Sequence, residues 1–344
     1  MGKKNILKVV IFLLIGILLF QIISTILLPE WIGPEGVSQL LRGFYVEPEN
    51  SIDVICIGNS NIYRSISPLS IFNDTGIVSY DCSTPGQKLC LSYYVLKECF
   101  EYQKPKLVFL DVDEAFDEEK QKPTAENTRK VLDNMKMGKN KIDALNDPIF
   151  EFSNYDKLTY LFPIMRYHSR WNQLTGYDFR RLVADYTCPF KGYLITRVKV
   201  AGVDKSKYMA RDNSIDYIGE KATYYIEKIM ELCKQNNAEL VLMEIPTTTT
   251  WSYDKSKGLE QFANEHGLKF LDMNLHDEIG IDWDNDSEDG GTHLNVYGAE
   301  KVSKFFGEYL KANFELTDHR QDELYASWYE HYKLFLKERD KTGC

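Results

Sequence analysis

The chain has 344 residues, 44% hydrophobic and 27% charged, with a net charge of -10. That length supports a large core in one or two domains, and the composition is that of a globular protein. The acidic balance argues against a surface that tracks nucleic-acid phosphates.

From Val9 to Leu28 the chain is apolar apart from Gly16, Gln21, Ser24 and Thr25. About 20 such residues span the hydrocarbon of a bilayer when helical. Lys3, Lys4 and Lys8 precede the run, which predicts a cytoplasmic N-terminus and an extracytoplasmic remainder. The apolar stretch is too long for a signal peptide and lacks a small-residue cleavage site, so 1–28 reads as an uncleaved anchor in the cell membrane. Residues 29–50, with Pro29, Pro34 and Pro48, read as a connector holding one short helix over 36–45.

Strands follow at 52–57, 77–81 and 106–111, each short and apolar as in a sheet buried on both faces. A helical pattern over 87–103 separates the last two. Strand and helix alternate again from 214, with a helical stripe at Ala222, Tyr225, Ile226, Ile229 and Cys233. Strands at 240–244 and 268–272 precede a last helix over 296–310, with Asn295 as its N-cap. This rhythm predicts an α/β fold over 51–312, a three-layer doubly wound parallel sheet. Between 115 and 213 the rhythm breaks into helical segments at 124–146 and 155–174, an insertion beside the sheet. The tail, 313–344, carries an amphipathic helix over 317–341, whose stripe of Tyr325, Trp328, Tyr332 and Phe335 should pack back onto the domain. Cysteines at 56, 82, 90, 99, 188, 233 and 344 fit neither a disulfide framework nor a zinc site.

Two separated segments carry the chemistry. Gly58-Asn59-Ser60-Asn61 leaves the first strand, and Asp289-Gly290-Gly291-Thr292-His293 leads into the last helix. In open α/β sheets reacting groups gather at the carboxyl ends of strands. A serine needs a base to take its proton, and the base needs a carboxylate to fix its tautomer. Ser60 is therefore the expected nucleophile and His293 its base. Asp289 is the nearest acid, with Glu288 and Asp286 as alternatives.

These motifs resemble the SGNH/GDSL hydrolase superfamily over roughly 51–112 and 214–312. That resemblance implies an oxyanion hole from the N–H groups of Ser60 and Gly86, the latter in Ser83-Thr84-Pro85-Gly86. It departs from the pattern in three places. Asn59 replaces the usual Asp, Asp289 lies four rather than three residues before His293, and Asp111-Val112-Asp113-Glu114 lacks the usual asparagine donor. Asn61, Arg64, Arg166 and His168 are weaker substrate-binding candidates, and for Arg64 a structural ion pair is the stronger reading. Asp282, Asp284, Asp286 and Glu288 alternate like calcium ligands, but Ser287 stands where the loop needs glycine, so neither a metal nor a cofactor is expected.

The layout is similar to the membrane-anchored branch of that superfamily, which includes the D-alanyl-transfer protein of teichoic acid modification and exopolysaccharide O-acetylation proteins. It implies a serine acyltransferase, or an accessory acyl carrier, acting on a bacterial surface glycopolymer, with the acyl donor supplied by a membrane-bound O-acyltransferase. A membrane-tethered esterase of surface carbohydrate and a degenerate glycan-binding scaffold are the alternatives.

Overall fold

The computed structural model describes residues 2–29, 37–180, 182–183, 187–211 and 213–341. Position 36 of the expected connector helix and Cys344 lie outside them. Five strands, β1 (Val54–Gly58), β2 (Ser79–Ser83), β3 (Leu107–Asp111), β4 (Glu239–Glu244) and β5 (Lys269–Asp272), form one parallel sheet in the order β2-β1-β3-β4-β5. The strands begin and end within about two residues of the positions the apolar runs indicated.

Side chains alternate across the strands and so build two cores. Ile55, Ile57, Val108, Leu110 and Leu242 face the helices Leu89–Tyr102 and Glu220–Gln235. Val54, Cys56, Phe109, Val241 and Met243 face the opposite layer, where Phe109 meets Phe306 edge-on at 4.8 Å. That layer holds two short helices the periodicity did not reveal, Ser60–Ser65 and Pro68–Thr75, and the long helix Val296–Asn313. Both short helices are too brief for a 3.6-residue pattern to rise above a loop. Their caps explain them: Asn59 accepts from the N–H of Asn61 (2.7 Å), and Ser67 caps a turn opening on Pro68.

The first apolar segment is one helix, Lys3–Leu27, long and apolar enough to cross a membrane. The expected connector is partly core. Val37–Arg42 is helical, Leu40, Leu41 and Phe44 are buried, and Tyr80 donates its hydroxyl to the Leu40 carbonyl at 2.9 Å. The prolines limit regular structure on either side of this segment, but the apolar residues between them still bury.

The insertion does three separate jobs. Its helices Ala125–Leu132 and Lys139–Asn146 pack beside Leu89–Tyr102. Residues 160–174 dock on the end of the N-terminal helix, where Arg170 donates to the Leu27 carbonyl at 2.6 Å. Residues 188–202 form a strap with no helix or strand in it. Its Lys191 carbonyl accepts from the Asp81 N–H, its Leu194 N–H reaches Tyr63, and its Val200 N–H reaches Ser287. The tail helix, Ala326–Arg339, packs Trp328 and Phe335 against Leu69, Phe72 and Val78. Tyr325, one residue ahead of it, donates to the Ser51 carbonyl at 2.7 Å. All six described cysteines are buried, free thiols.

Gly58 ends β1 where a β-carbon would come within 2.3 Å of the Asp111 β-carbon on β3. Gly58→Ala should therefore spread these strands at the site and lower stability by about 1–3 kcal/mol, read as a fall in the urea midpoint at unchanged slope.

Candidate active site

The strand order changes direction between β1 and β3, the place where open parallel sheets leave a crevice at their carboxyl ends. Ser60 opens the helix that leaves β1 at this point. Its Oγ lies 2.7 Å from His293 Nε2. His293 Nδ1 lies 2.5 Å from Asp289 Oδ2, and the His293 N–H donates to Asp289 Oδ1 at 2.8 Å. One carboxylate thus holds the imidazole and its own backbone. A proton kept on Nδ1 leaves Nε2 free to accept from the Ser60 hydroxyl.

The four-residue spacing works because of the two glycines between acid and base. Gly290 and Gly291 have φ of 88° and 106°, a backbone region costly for any side chain. A β-carbon on Gly291 would also sit 2.0 Å from Thr248 Oγ1. The tight reversal turns the Asp289 carboxylate back onto His293. The other two acids have separate partners: Glu288 pairs with Arg64 Nε at 3.3 Å, and Asp286 with Lys301 at 2.6 Å.

Three groups that sequence reasoning passed over hold this loop. Ser287 is fully buried, accepts from the Gly291 N–H at 2.7 Å and donates to the His293 carbonyl at 3.3 Å. Thr248 donates its N–H to the Gly291 carbonyl at 2.8 Å, and Thr249 bonds Thr292 at the same distance. The signal was visible as Pro246 followed by four threonines directly after β4, a row of hydroxyls at the catalytic edge of the sheet.

Gly86, with φ of 61°, lies beyond the end of β2, and Gly58 on β1 pairs with Ser83. A β-carbon on Gly86 would come within 2.2 Å of Asn127 Nδ2. An asparagine amide therefore stands beside the expected glycine donor, contributed by the insertion helix Ala125–Leu132 rather than by the turn after β3. Its distance in sequence hid it.

Of the weaker candidates, Arg64 is engaged with Glu288 and stacks on Tyr63 at 5.5 Å, tying the Ser60 helix to the His293 loop. Asn61 is buried with its Nδ2 unpaired among the described residues. Arg166 and His168 are exposed, on the segment that docks against the N-terminal helix. The aspartate run diverges: Asp282 caps the helix Trp283–Asp286, and Asp284 accepts from the Gly202 N–H. Ligand atoms of Glu288, Asp289 and His293 lie within 4.8 Å of one another, but Arg64 and the Ser60 hydroxyl already engage two of the three.

Carboxyls at the ends of three strands form the floor under this edge. Asp111 ends β3, Glu244 ends β4 and Asp272 ends β5, with Asp113 just past Asp111. Burial holds Asp111, Asp113 and Glu244 above the usual carboxylate range, and repulsion from neighbouring carboxylates, Glu114 among them, adds to it. Asp111 accepts from the Asn59 N–H at 3.3 Å. A neutral Asn59 caps its helix as well as Asp would, without adding another charge to this floor.

Neither a family model nor a curated protein sequence matches this chain. Among solved structures, a Bacteroides fragilis protein assigned as an acylhydrolase superposes with a TM-score of 0.36 at 12% identity, covering 83% of this chain and 98% of its own. An acetyl xylan esterase from the rumen bacterium Butyrivibrio proteoclasticus superposes at 0.32 and 11% identity, covering 77% and 65%. Likenesses this distant carry no weight for activity, and the case rests on the chain's own geometry.

Asp289→Asn should cut turnover of an activated ester by roughly 10⁴-fold, because the imidazole loses its fixed tautomer. Glu288→Gln, which loosens a partly exposed ion pair, should stay within about tenfold of wild type in the same assay. Glu244 makes no hydrogen bond from either carboxylate oxygen among the described residues. Its folded form holds a proton above the ordinary 4.5, so its contribution to stability is full below that value and is lost as pH rises toward the raised one. Glu244→Gln should therefore flatten the decline in urea midpoint as pH rises above 4.5.

Proposed function

We propose that this protein is a membrane-anchored, extracytoplasmic serine acyl-transfer enzyme of the SGNH type, modifying a bacterial cell-surface glycopolymer such as a teichoic acid or exopolysaccharide. The observation that carries acyl-ester chemistry is the continuous hydrogen-bonded line from Asp289 through His293 to the Ser60 hydroxyl. In the first step Ser60 Oγ attacks an ester carbonyl while His293 Nε2 takes its proton. The tetrahedral oxyanion is met by the N–H groups of Ser60 and Gly86 and by the Asn127 amide. Collapse expels the donor alcohol, which receives the proton from His293, and leaves acyl-Ser60. His293 then deprotonates an acceptor hydroxyl, whose attack on the acyl carbonyl releases Ser60 with its proton restored.

A sugar hydroxyl as acceptor makes the protein a transferase. The helix Lys3–Leu27, with lysines on its N-terminal side, supports that choice, since a tether suits an enzyme loaded at the membrane by a membrane-bound O-acyltransferase. Water as acceptor makes it an esterase of surface carbohydrate. The open setting of the site favours this second reading, because the His293 side chain is 22% exposed and the Asp289 side chain 38%.

A fluorophosphonate should label the folded wild type and not Ser60→Ala. Asn127→Ala should keep the label but lower esterolysis by about 10²–10³-fold. Labelling of Ser60→Ala at the wild-type rate would remove the serine mechanism. Ester content of the cell envelope separates the two acceptors, with loss on deletion expected for transfer and gain for hydrolysis.

A further inference from the structure

A groove of about 1190 Å³ lies between the membrane helix and the insertion, larger than the ~300–1,000 Å³ of ordinary small-molecule sites. The helix contributes Phe12, Gly16, Phe20 and Ser24, a ridge spaced by four residues along one face, and Leu28 follows just past its end. Met137 and Phe162 stand on the opposite wall, and both are exposed apolar side chains. The interior of the groove is therefore apolar, and Gly16 leaves open space at its middle.

One end of the groove is cationic. Arg42, Lys136 and Lys141 line it, with Asp133 as the single acid. Asp133 is already engaged by Arg129 at 3.1 Å and by the Tyr167 hydroxyl at 2.6 Å. Lys141 is 4% exposed, and two acids, Asp133 and Glu98, act on its charge. Burial lowers its pKa to about 8, against the pull of Asp133. Arg42 and Arg129 act against its charge as well, and an anion in the groove would offset both the burial and that repulsion. Ser24 is an unsatisfied group: its Oγ is buried without a partner among the described residues, and the residue lines the same groove.

We propose that this groove binds one acidic phospholipid, its phosphate held by Lys141, Lys136 and Arg42 and its chains lying along the membrane helix toward Phe12. The length supports this occupant. Ser24 to Phe12 is 12 residues of helix, a rise of about 18 Å, close to the ~15 Å hydrocarbon depth of one leaflet. The polar end lies near Leu28, where the helix meets the extracytoplasmic domain, at the level expected for the head groups of the outer leaflet. This inference rests on the anchor reading and is independent of the chemistry at Ser60. The bound lipid would fix the angle between helix and domain, and hence the height of the insertion above the bilayer.

The test uses the full chain extracted in mild detergent and titrated with phosphatidylglycerol, with retained lipid counted by native mass spectrometry. One retained phosphatidylglycerol per chain is expected, with phosphatidylcholine retained at least tenfold less. The double variant Lys136→Gln, Lys141→Met should lose retention by tenfold or more. Gly16→Trp, which fills the groove without touching the charged end, should lose it too and guards against misfolding of the lysine variant. Equal retention of both lipids, unchanged retention in Gly16→Trp, or a protein partner in place of lipid overturns the proposal. Alkaline extraction of whole membranes tests the anchor separately, since release of the chain would refute the span itself.

Discussion

Any chemistry at Ser60 depends on one carboxylate gripping one histidine at two points. Asp289 holds both the ring and the backbone N–H of His293, which leaves the imidazole with a single orientation, facing the hydroxyl. Such a grip needs the chain to fold back within four residues, and Gly290 and Gly291 supply the only inexpensive backbone for it. The loop cannot keep that shape alone. Buried Ser287 binds it from within, threonines after β4 bind it from the sheet, and Arg64 binds it from the Ser60 helix.

The same logic extends outward. The strap over 188–202 hydrogen-bonds in turn to the edge of β2, to the Ser60 helix and to the His293 loop. It takes no regular form because its backbone groups divide between turns of its own and several different neighbours. Beneath the site, burial raises the proton affinity of Asp111 and Glu244 at the strand ends, which lessens the negative charge they place there. Asn59 fits this setting, as a neutral cap in a place already crowded with carboxyls.

How much of this was legible depended on how local each signal was. Five apolar runs gave the strands, because a parallel sheet buried on both faces leaves continuous hydrophobic residues. Ser60, Asp289 and His293 stood out as residues bracketed by glycine at the end of a strand and ahead of a helix. The identity of the acid needed coordinates, since Asp286, Glu288 and Asp289 are equivalent by type and differ only in which cation or N–H lies opposite. Asn127 and Ser287 were invisible for another reason. Their place at the site comes from tertiary packing of segments whose own sequences read as surface helix and acidic loop. The core role of Leu40 and Phe44 was masked by flanking prolines, which end helices without preventing burial.

One further consequence lies in the ordering of the chain itself. Ser60 and the imidazole that touches it are 233 residues apart. The strand that carries Ser60 is steadied at its start by Tyr325, later still. During synthesis the hydroxyl emerges early and stays chemically inert, since nothing near it in sequence can take its proton. The hydroxyl and its base meet only when nearly the whole polypeptide has been made and folded, so a truncated chain carries the serine without the imidazole.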